Sequence, residues 1–190
     1  MVSRKYTKDY RVEAHLTKRG AIRDEAIYCG AYYRFARPKE EVSRSLRFLT
    51  AAELVSTAFA VFPMCVPCAY SKQMYVILPL VVSLLPIYLL FAGLYRVRTA
   101  GEKVIHEHRD KIANRIPTGA FIQMLIAGLA LIGTIVYIIL GQLAPIDWVC
   151  SVLALLRAAL SVLIFLHRHD FAMEDVSEHL PATEQNPENL

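Results

Sequence analysis

Apolar residues in this chain fall in long blocks, not at the alternating or three-to-four spacing of half-buried elements. Four blocks, at about 46–62, 74–95, 120–141 and 146–166, approach the roughly 20 residues a helix needs to cross a hydrocarbon core about 30 Å thick at about 1.5 Å per residue. The second and third carry no charge; the first holds Glu53 and the fourth Arg157. Strands do not suit these runs. They lack barrel alternation, and an open sheet edge in lipid leaves amide groups unpaired. The pattern predicts an all-α membrane protein, a four-transmembrane-helix bundle.

Outside the blocks the periodicity changes. Residues 10–16 (YRVEAHL) alternate polar and apolar, KRG follows as a turn signal, and residues 22–33 (IRDEAIYCGAYY) are rich in strand formers. They predict a small N-terminal β-hairpin, marginal by itself in water. Pro38 suits a first helical position, with Glu40 and Glu41 in the favoured first turn, so a helix should run from there straight into the first span. Between spans two and three, GEKVIHEHRDKIANRIP sets Val104 or Ile105, His108, Ile112 and Ile116 on one helical face. That spacing predicts a cytoplasmic helix over about 102–116 that extends the second span and is broken by Pro117. The chain thus divides into a basic segment, 1–45, a bundle, 46–166, and an acidic tail, 167–190, largely disordered because its last stretch, PATEQNPENL, is too polar to pack.

Charge adds an orientation. Over 190 residues, 55% of them hydrophobic, the formal net charge is only +4, but the basic residues are unevenly placed. Twelve precede or open the first span and six lie between spans two and three, against Lys72 alone in the other two connections. Lys and Arg excess marks the cytoplasmic side. Both termini and the middle loop are therefore expected inside, and MCVPCAYSK and GQLAPID outside, in a multi-pass protein of the plasma (inner) membrane. Trp148, Tyr75 and Tyr95 then fall at the interfaces, where aromatic residues gather. The same bias accounts for the basic residues without nucleic acid; anionic lipid is the surface they suit. The first 45 residues do not read as a cleavable signal, so the first span is expected to direct insertion.

Charges inside a membrane cost about 2.5–3.5 kcal/mol each on insertion scales and usually face a bundle interior. Small residues flank both here: Ala52, Ser56 and Ala60 near Glu53, and Ser151, Ala154, Ala158 and Ser161 near Arg157. Glu53 lies roughly 10 Å and Arg157 roughly 15 Å from the inner ends of their spans. The two are expected to form an intramembrane charge pair that fixes how spans one and four meet; a polar site for an ion, proton or anionic substrate is the alternative. Pro79 and Pro86 should bend the second span.

Two histidine clusters flank the inner ends of spans: His106, His108 and Asp110, then His167, His169 and Asp170. They read as interfacial residues on a solvated face, and as weak candidates for a divalent metal if the two helix ends converge. Cys65 and Cys68 form a C-x-x-C pair in the outer connection. CVPCAYSK resembles the outer C-V-x-C-x-Y-x-basic stretch of the disulfide bond formation protein B family, four-span thiol oxidases that reduce quinone. The resemblance implies that Cys65 and Cys68 exchange electrons with a membrane quinone beside Lys72. That family also carries a second outer cysteine pair in a long loop between spans three and four, where this chain has GQLAPID and only Cys150 nearby.

The function expected is a non-catalytic accessory or assembly subunit of a membrane complex, with no cofactor, partnered by another membrane protein or by itself. A quinone-coupled C-x-x-C thiol-disulfide oxidoreductase is the first alternative, and a small transporter or channel subunit the second.

Overall fold

The computed structural model describes residues 4–16, 22–101, 104–140 and 144–176. Four helical rods are long and apolar enough to cross a membrane. The first is α1 (Lys39–Cys65). The second is made of α2 (Met74–Val82) and α3 (Leu84–Thr99). The third and fourth are α4 (His106–Leu140) and α5 (Pro145–Leu166). Packed neighbours are α1 with α3 and α5, and α4 with α2, α3 and α5, so the rods form a closed ring in chain order. Large apolar side chains such as Leu54, Leu78, Leu129, Ile139 and Leu155 face outward, while Ser56, Gln123, Thr134, Ser151 and Ser161 are buried. Apolar outside and small or polar inside is the distribution that lipid, not water, rewards.

Prolines mark where sequence reading and structure part. The bend expected of Pro79 and Pro86 falls at Ser83, between α2 and α3. Pro86 has no N–H for the Val82 carbonyl, and at the same break Ser83 Oγ donates to the Leu80 carbonyl. Pro117, expected to stop a helix continuing span two, lies inside α4. The segment from His106 onward therefore belongs to the third span, and its neighbours Ile112 and Ile116 are pinned in an apolar core with Leu90, Leu94 and Ile164. Pro63 sits within α1, two residues from its end, where its missing N–H leaves the Phe59 carbonyl without a helical donor.

The polar segments hold more structure than their composition implied. Strands β1 (Tyr10–Leu16) and β2 (Ile22–Tyr28) form the expected hairpin, with Tyr10 opposite Tyr28 and Leu16 opposite Ile22. The second arm ends at Tyr28, short of the expected residue 33. Residues Tyr32–Phe35 make a separate strand, β3, at the centre of a second sheet. Its neighbours are β4 (Val104–Ile105), in the middle loop, and β5 (Met173–Asp175), within the acidic segment 167–190. Arg34 lies opposite Glu174, a favourable cross-strand pairing of charge. The start of α1, the α3–α4 connection and the end of α5 are thus joined at one end of the bundle. Residues 177–190, the hairpin turn at 17–21 and residues 102–103 and 141–143 lie outside the described residues, so the expected disordered tail end and the first three residues of the GQLAPID turn do too.

Close approach of the rods depends on glycine in α4. A Cβ at Gly133 would lie 2.6 Å from the Tyr75 backbone oxygen, whereas one at Gly128 meets nothing within 4 Å. Gly133→Ala is expected to lower stability by about 1–3 kcal/mol, and Gly128→Ala to leave it unchanged or raise it by up to about 1 kcal/mol. Thermal unfolding of the two variants in detergent measures the difference; equal behaviour would contradict the contact.

Candidate functional site

A polar layer crosses the middle of the bundle, between one apolar core around Leu49, Leu90 and Ile116 and another around Tyr70, Leu80 and Tyr137. It is built from α1, α4 and α5, each of which places one long polar side chain inward. Glu53, Gln123 and Arg157 are all essentially inaccessible, with Ser56 beside them. Gln123 Nε2 donates to Glu53 Oε2 at 3.0 Å and to Ser56 Oγ at 3.2 Å. Glu53 Oε1, Gln123 Oε1 and all three guanidinium nitrogens of Arg157 are buried without a hydrogen-bond partner.

Glu53 and Arg157 therefore share one layer and lie within electrostatic reach of each other. The direct contact of the carboxylate is with Gln123; no guanidinium nitrogen comes within 4.0 Å of it. Gln123 was not legible as a partner, since one glutamine in an otherwise apolar run carries no charge to flag it. The flanking small residues Ala52, Ser56, Ala60, Ser151, Ala154 and Ser161 are buried as well. They serve packing within this chain. Chemically the layer offers one carboxylate, one amide and one cation in a setting where each unmet polar group is expensive.

At the bundle end away from the sheets, Tyr70 and Asp147 organise the connection between α1 and α2. Asp147 accepts the Tyr70 backbone N–H at 3.1 Å and, from the third position of α5, the Ala144 N–H at 3.1 Å. A carboxylate there also suits the positive end of the helix dipole. Thr134 gives its hydroxyl proton to the Ala130 carbonyl, so the Tyr70 hydroxyl donates to Thr134 Oγ1 at 2.8 Å. The Tyr70 ring meets Tyr137 edge-on at 5.5 Å.

The cysteines of the C-x-x-C stretch part company in this connection. Cys65 is exposed, whereas Cys68 is buried, and both are unbridged. Cys68 Sγ lies 4.0 Å from Cys150 Sγ, so its near thiol is on α5 and not at Cys65. Lys72 is exposed in the short turn Tyr70–Lys72.

At the opposite, basic end the histidines serve separate contacts. His106 faces Asp9 at 3.2 Å and Asp110 at 3.5 Å, and its backbone N–H donates to the Tyr28 hydroxyl at 2.9 Å. Burial pushes the Tyr28 phenol above its ordinary range, which keeps it a neutral donor to the Ala31 carbonyl. His167 bonds Asp170 at 3.1 Å; Asp170 also accepts from Ser45 and pairs with Arg37, each at 3.0 Å. Asp170 thereby ties the end of α5 to the start of α1. His108 is half-buried and His169 exposed. Among the described residues, no group of three or more His, Cys, Asp or Glu is placed to hold a metal ion.

No protein-family model matches the chain, and neither a curated protein nor a solved structure matches it. The likeness of CVPCAYSK to the thiol oxidases is confined to that stretch and a four-helix architecture.

Proposed function

We propose that this chain is a four-span integral membrane protein of the plasma (inner) membrane, with its basic end in the cytoplasm, acting as a non-catalytic accessory or assembly subunit. The orientation draws on the eighteen-to-one bias of basic residues. It is supported by the second sheet, which joins the amino-terminal segment, the middle loop and the residues after α5 at that same end. The observation that carries the subunit reading is the β1–β2 hairpin. Among the described residues its strands pair only with each other, and its base is held against the second sheet, the platform at the basic end, through Tyr28, which packs edge-on against Tyr32 of β3 at 5.2 Å. Farther out it exposes Val12, 67% accessible. Two strands with an apolar residue in water gain most by adding a third element. The polar residues of the mid-bundle layer are buried out of a partner's reach, which leaves the basic platform as the surface for a partner.

A photoreactive residue at position 12 in intact membranes is expected to give one discrete protein adduct, while one at position 155, in the lipid-facing surface of α5, gives none. Failure of position 12 to trap a protein, with position 155 trapping one, would refute docking through the platform.

A further inference from the structure

One face of α1 lines a cleft of about 840 Å³ that opens beside the bundle between the first half of α1, the end of α3 and β3. Lys39, Val42, Ser43, Leu46, Arg47, Thr50, Ala51 and Leu54 contribute from α1, at the spacing of a single helical stripe. The stripe changes character along its length. Its sheet end is basic, with Arg34 and Arg98 joining Arg47, whereas the deeper end, past Thr50, is apolar and closes on Ala51 and the exposed Leu54. From Lys39 to Leu54 the stripe covers roughly 22 Å at about 1.5 Å per residue.

Three arginines of the cleft make no close ion pair among the described residues. Among the described residues no carboxylate lies within 4.0 Å of Arg34, Arg47 or Arg98, while Arg37 is already paired with Asp170. Three guanidinium groups around one opening form a receptor for phosphate oxygens, which arginine recognises in bidentate fashion. An apolar channel leading from that opening into the part of the bundle that faces lipid suits a hydrocarbon chain. Both halves of the cleft belong to one amphiphile.

We propose that this cleft binds one anionic glycerophospholipid, its phosphate held by Arg34, Arg47 and Arg98 and an acyl chain laid along α1 over Ala51 and Leu54. The site rests on the membrane-spanning reading of the helices and is independent of any protein partner. A soluble phosphate shares the headgroup chemistry but leaves the apolar channel unused.

The test is native mass spectrometry of the delipidated full chain in detergent, titrated with phosphatidylglycerol, phosphatidylcholine or glycerol phosphate. Phosphatidylglycerol should bind at least about tenfold better than phosphatidylcholine, and glycerol phosphate should not displace it. Each of Arg47→Gln and Arg98→Gln should weaken it about fivefold, in line with the contribution of a basic residue near an anionic surface. Arg44→Gln, which removes an equal charge from the same helix outside the cleft, should not. Leu54→Trp should reduce lipid retention with every arginine in place. Equal binding of the two lipids by the unaltered protein would overturn the site. So would displacement by glycerol phosphate, which would mark a phosphate site only, or a loss from Arg44→Gln as large as that from Arg47→Gln.

Discussion

Glu53→Gln and Arg157→Gln are each expected to destabilise the bundle by about 3–5 kcal/mol, and the double variant by much less than their sum. Either single change strands a buried charge, which is costlier than never having the pair. Arg157 makes this effect large because none of its guanidinium nitrogens has a hydrogen bond. With Glu53 neutral, nothing in the layer offsets its charge. Gln123→Leu should cost less, about 1–3 kcal/mol, because it removes the donor to Glu53 Oε2 but leaves both charges. Thermal unfolding in detergent of the four variants gives the coupling directly. Losses that simply add would show that the two charges are energetically independent.

Asp147→Ala should lower stability by about 3 kcal/mol. It leaves the backbone N–H groups of Tyr70 and Ala144 without their acceptor; the buried Tyr70 N–H is an unmet polar group costing about 1–3 kcal/mol, and the exposed Ala144 N–H loses its cap to water. Asp147→Asn retains an acceptor oxygen for one of them and should recover part of the loss. Amide hydrogen exchange locates the effect: protection should fall in the Tyr70–Lys72 turn and at the start of α5, with α4 near Gln123 unaffected. A uniform loss across the bundle would instead point to general unfolding.

Hydrophobic blocks made the four apolar helices readable, because length and composition alone decide whether a helix can span lipid. Glu53 and Arg157 were legible for the same reason: a charge deep in such a block, away from its ends, is costly in lipid and turns to the bundle interior. What stayed hidden depends on tertiary partners. Gln123 and Asp147 are ordinary in sequence, and their importance comes from what faces them on other helices. Strands β4 and β5 are two and three residues long, too short to leave a periodic signal, and exist because β3 supplies the hydrogen bonds. Pro117 misled as a helix breaker because packing holds a helix across a missing amide bond where an isolated peptide would yield.

The position of β3 in its sheet sets an order of events during synthesis. It emerges before the first apolar helix, yet its partner β5 follows the last, so Arg34 waits for nearly the whole described chain before it meets Glu174. At roughly 5–20 residues per second the wait is on the order of ten seconds, during which the edge of β3 that takes β5 lies open to foreign strands, the other edge waiting only for β4. Closure of the sheet thereby reports that all four helices have been delivered, and a nascent chain stalled before α5 announces its incompleteness to quality control by an unpaired edge.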